Sequence, residues 1–149
     1  MALDRHDLQS VAVGASISVS WAIFISLAIF KLTGEPPTDL APPVTWTDYG
    51  AMLASGLILA PIIETACLAA LFYLLRRIAS SVVSALACVA AFCLAHWMHS
   101  SWWGLVVLVP GLVLIRPFVV VDDRRRAVLR SGLTHALHNG IVITIVLLA

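Results

Sequence analysis

Three short stretches hold groups able to do chemistry: IIETA with Glu64, FCLAH ending at His96, and HALHN from His135 to Asn139. They interrupt a chain that otherwise avoids such groups in its apolar runs. A carboxylate in a low-dielectric cavity becomes a competent general base near neutral pH. Here Glu64 would take a proton from water and His96 would orient that water. His135 and the Asn139 amide would donate hydrogen bonds to a developing oxyanion. The set suffices to hydrolyse a peptide bond without a serine nucleophile. The chain contains neither GxSxG nor HExxH, so the serine-hydrolase and zincin patterns are absent. Other readings stay open at this point. Glu64, His96 and His135 are also a two-histidine, one-carboxylate metal set. Taken singly, Glu64 can be a protonated structural acid and Asn139 a helix–helix hydrogen-bonding group.

Helical spacing favours convergence. His135 and Asn139 are four residues apart and share a face. His138 is offset from His135 by only about 60° at roughly 100° per residue, so it too can face inward. Phe92 lies one turn below His96. Pro61, just before Glu64, cannot donate a backbone hydrogen bond. The carbonyl of Leu57 is therefore expected to be free and the helix to kink, opening space beside the acid. His99 belongs with Trp102 and Trp103 in an interfacial turn. Arg116 can reach the interface by extending its side chain.

The elements that position these groups are membrane spans. Of 149 residues, 61% are hydrophobic and 11% charged, where a soluble domain carries about 25% charged. Mean hydropathy is +1.01. The sequence predicts an all-α, polytopic membrane helix bundle of about five transmembrane helices in a single domain, 1–149. The expected helices are 11–30, 49–75, 80–98, 105–121 and 127–149, with helix 11–30 accessory to a core at 50–149. The first run matches the roughly 20 residues that a span needs, and no small-residue cleavage site follows it, so it is read as an uncleaved helix. The segment KLTGEPPTDLAPPVTWTD is expected as a loop outside the hydrocarbon. At about 1.5 Å per residue, Glu64 lies about 18 Å from the Arg76 end of its helix, His96 about 24 Å from Ser80, and His135 and Asn139 about 14 and 20 Å from Arg126. The four can thus meet near mid-membrane.

Arg5, Arg76, Arg77, Arg124, Arg125, Arg126 and Arg130 fall on one side of such a bundle, against Lys31 on the other. The positive-inside rule then puts the N-terminus in the cytoplasm and the C-terminus across the membrane, in a plasma or inner membrane. The formal net charge of +1 gives no basic field for nucleic acid. Cys67, Cys88 and Cys93 all lie in apolar runs and form no CxxC pair, which points to packing.

In these residues the sequence resembles the CPBP family of intramembrane endopeptidases, which includes type II CAAX prenyl endopeptidases and bacteriocin-immunity-like proteins. The family carries EExxxR, FxxxH and HxxxN in that order. FCLAH and HALHN match the second and third motifs fully, and Glu64 in IETACLA occupies the first glutamate. Thr65 stands at the second glutamate and Ala69 at the arginine. The resemblance covers about residues 50–149. It implies cleavage of a membrane-bound protein or peptide in or near the lipid bilayer, with Glu64 and His96 activating water and His135 and Asn139 binding the oxyanion. Family members include both glutamate proteases and metal-dependent enzymes. A divalent metal, if used, would fall to Glu64, His96 and His135. The departures at Thr65 and Ala69 leave a second expectation, a non-catalytic immunity or interaction protein.

Overall fold

The computed structural model describes residues 3–35, 45–100 and 102–148, and among these it is helical with no strand. Six helices follow in order: α1 Arg5–Thr33, α2 Trp46–Leu75, α3 Ser81–Trp97, the single turn α4 Trp103–Val106, α5 Leu108–Val120 and α6 Arg124–Leu148. The central residues of the proline-rich segment, 36–44, lie outside the described residues.

Three of these helices are long and apolar enough to cross a membrane, rather than the five expected: α1 (29 residues), α2 (30) and α6 (25). The remaining two are shorter. With 17 and 13 residues, α3 and α5 span about 26 and 20 Å, against about 30 Å of hydrocarbon. The α5 run is cut by Pro110. Without an N–H, this residue cannot continue a helix from α4, so the helix restarts at Leu108 and holds Pro110 in its first turn, where no donor is needed.

Local chemistry sets several ends. Asp4 caps α1 in a reciprocal box with Asp7, and Gly34 closes it in the left-handed region at φ 75°. The helix therefore begins six residues before the apolar run at Val11. Ser80 caps α3. The Asp123 carboxylate receives the Arg125 and Arg126 amides at 2.8 and 3.1 Å, which starts α6.

Two clusters form the interior. The larger joins α2, α3, α5 and α6 through Leu68, Phe72, Cys88, Phe92, Leu114, Phe118 and Ala127. Phe72, Tyr73 and Phe118 meet one another in tilted and edge-on contacts, with Phe72 5.8 Å from Phe118. The smaller holds Ala22, Ile29 and Val106. α1 packs along α5 and α6. Asp7 meets Arg126 and Ser18 meets His138, so α1 and α6 run parallel. Gly14 lets them close: a Cβ there would lie 3.0 Å from Val113 and 3.2 Å from Thr134. α2 runs antiparallel to α6, since Gly56 bonds Asn139 while Glu64 faces His135.

Candidate functional site

Glu64, in the second half of α2, is approached by a histidine from each of two other helices. His135 Nε2 lies 3.6 Å from Glu64 Oε2 and His96 Nε2 lies 4.0 Å from the same oxygen. Both separations exceed a direct hydrogen bond. They are short enough for the carboxylate and one ring nitrogen to share a water at about 2.8 Å from each. The site opens on the flank of the bundle: the Glu64 side chain is 30% exposed and that of His96 20%, while His135 is buried.

The rings are oriented from behind. His96 Nδ1 lies 2.8 Å from the Phe92 carbonyl. A carbonyl can only accept, so in the neutral ring Nδ1 carries the proton and Nε2 presents its lone pair to Glu64. The Phe92 ring lies 4.4 Å from the imidazole and Trp103 meets it edge-on at 5.8 Å. Gly111 gives Phe92 its room, since a Cβ there would sit 3.2 Å from that ring. On the opposite side, the buried His135 Nδ1 has no hydrogen-bond partner among the described residues. The tautomer with the proton on Nε2 therefore aims its donor at the carboxylate side of the site.

Asn139 is engaged elsewhere. Its Nδ2 donates to the Gly56 carbonyl at 2.8 Å. The cause lies in α2, which takes one π-helical turn over Ser55–Leu59. There the Ala60 N–H reaches back five residues to the Ser55 carbonyl. The next such bond would need an N–H on residue 61, which is proline. The Gly56 carbonyl therefore lacks that backbone donor, and Asn139 fills it. One amide N–H of Asn139 remains for other work.

Thr65 and Ala69 are both buried, and the Thr65 hydroxyl has no hydrogen-bond partner among the described residues. Thr65 faces Gly132 of α6, where an added Cβ would sit 3.9 Å away. These positions form core contacts in this chain. His138 accepts a role the sequence left open, with Nδ1 2.8 Å from the Ser18 hydroxyl of α1. Sequence reasoning overlooked Ser18. The available signal was its spacing: Asp7, Gly14 and Ser18 recur on one face of α1. Two imidazoles and a carboxylate suit a divalent metal in kind. Their nitrogens close on one carboxylate oxygen, however, and no group of three His, Cys, Asp or Glu among the described residues is arranged to hold an ion.

Compared with family models, with curated proteins and with solved structures, the chain matches none.

Proposed function

We propose that this chain is a membrane-embedded endopeptidase in which Glu64 is the general base for an attacking water. The observation that carries this is the approach of two imidazoles, from α3 and α6, to a single Glu64 oxygen at non-bonded distance. Ionisable groups inside apolar helices are costly and are kept for function. In this reading a water donates one O–H to Glu64 and the other to the His96 Nε2 lone pair. Glu64 takes a proton, and the water oxygen bonds to the scissile carbonyl carbon. The oxyanion accepts from His135 Nε2–H and from the free Asn139 N–H. Collapse breaks the C–N bond, and Glu64 returns its proton to the departing amine. The order Glu64, FCLAH, HALHN supports kinship with CPBP endopeptidases. The substrate is a membrane-bound protein or peptide. On the same reading α3 and α5 cross the bilayer beside the three longer helices, with the N-terminus cytoplasmic and the C-terminus opposite, in a plasma or inner membrane.

The burial of Thr65 and Ala69 favours a second reading, an immunity or interaction protein built on the same bundle without catalysis. The two separate on Glu64→Gln. Reconstituted in nanodiscs with a library of membrane-spanning peptides, wild type is expected to cleave and the variant is not. Equal cleavage by the variant would sink the protease reading. A cellular phenotype that survives the substitution supports the second.

A further inference from the structure

An open cleft of about 710 Å³ lies at the C-terminal end of α2, beyond Glu64, where it meets the starts of α3 and α6 and the end of α5. Arg76, Arg77 and Arg124 line it, with Asp122 as the one acidic side chain on its wall. Two of the guanidiniums are held in place. Arg124 stacks over the Tyr73 ring at 4.8 Å from its centroid, and Arg76 donates to the Ala79 carbonyl at 2.8 Å. That bond uses one of the five N–H donors that each guanidinium carries. Ser81, on the wall, is the first residue of α3, so the positive end of that 17-residue helix also faces the cleft. Pre-oriented arginine forks beside a helix N-terminus match the tetrahedral oxygens of a phosphate group. Exposed apolar side chains line the cleft as well, namely Leu74 and Val119. They give it an apolar shoulder against which acyl chains can lie.

We propose that this cleft binds a phosphate group, carried by the headgroup of an acidic phospholipid. The site is separate from Glu64 and does not depend on proteolysis. Native mass spectrometry of the full chain in neutral detergent tests it, with phosphatidylglycerol, phosphatidylcholine and inorganic phosphate titrated separately. Wild type is expected to retain phosphatidylglycerol over phosphatidylcholine. Each arginine replaced by glutamine is expected to weaken this by about fivefold, cumulatively for Arg76→Gln, Arg77→Gln and Arg124→Gln. Arg125→Gln, which is not on the cleft, leaves binding unchanged. Circular dichroism checks the fold of each variant, and the single Arg77→Gln variant provides the reading should the triple variant not fold. Equal retention of both lipids, or undiminished retention by the variants, overturns the proposal. Inorganic phosphate that binds as well as the lipid, and is lost in the same variants, keeps the phosphate site and overturns the lipid as its source.

Discussion

The two faces of α6 carry similar residue types and treat them in opposite ways. Toward α1, polar groups meet at bonding or ion-pair distance, although Asp7 Oδ1 and Arg130 Nε have no hydrogen bond among the described residues. Arg126 Nε meets Asp7 at 2.7 Å and also holds Asp4, Arg130 adds a looser contact to Asp7 at 3.5 Å, and His138 meets Ser18 at 2.8 Å. Toward α2 and α3, His135 and His96 stop 3.6 and 4.0 Å short of Glu64, and His135 Nδ1 is buried without a partner among the described residues. Paired groups in an apolar bundle hold helices in register. Groups that converge without pairing leave bonding capacity for a third molecule. The contrast separates a clasp from a candidate site on one helix.

The largest effect expected is on rate. Glu64→Gln removes the base and should cut cleavage by about 10²–10⁴-fold, with thermal unfolding unchanged. A matching loss of stability would make Glu64 another clasp residue. Asp7→Asn should do the reverse. It removes the buried carboxylate that Arg126 and Arg130 share and leaves Arg126 only Asp4, so stability should fall. Denaturant unfolding in detergent measures this, and activity should fall only with the folded fraction. Asn139→Ala leaves the Gly56 carbonyl unpaired, at about 1–2 kcal/mol. A fall in kcat beyond that, at unchanged KM, would assign its second N–H to the oxyanion. Ser18→Ala loses one bond between helices, about 0.6 kcal/mol, and should not change the rate.

The smallest effect concerns pH. The Asp4 carboxyl is held below its usual value of 3.8, first by the Asp7 backbone N–H and then by Arg126. A lowered carboxylate value in the fold means stability that is present above the ordinary value and lost as pH falls through the lowered one. Acid should therefore loosen the start of α1, and Asp4→Asn should remove that part of the pH dependence. Amide exchange at residues 5–8 would record it.

The helical class was legible because apolar runs and their breaks leave little choice, and the approach of Glu64, His96 and His135 was anticipated from their depths along three helices together with the family resemblance. The lengths of α3 and α5 were not legible, because hydropathy registers neither the turn that ends α3 at Trp97 nor that Pro110 restarts α5. The partner of Asn139 was hidden because it depends on a π turn at Ser55–Leu59. The α1 clasp was hidden for a different reason. Arg126 and Arg130 read from sequence as loop charges, and only the parallel packing of α1 brings Asp7 to them.

The most direct test is a comparison of membrane proteomes from cells carrying wild type or Glu64→Gln at equal expression, read as new peptide termini. Catalysis at Glu64 predicts that a set of membrane or lipid-linked peptides is cut in wild type and accumulates uncut in the variant. Identical termini in the two would contradict it.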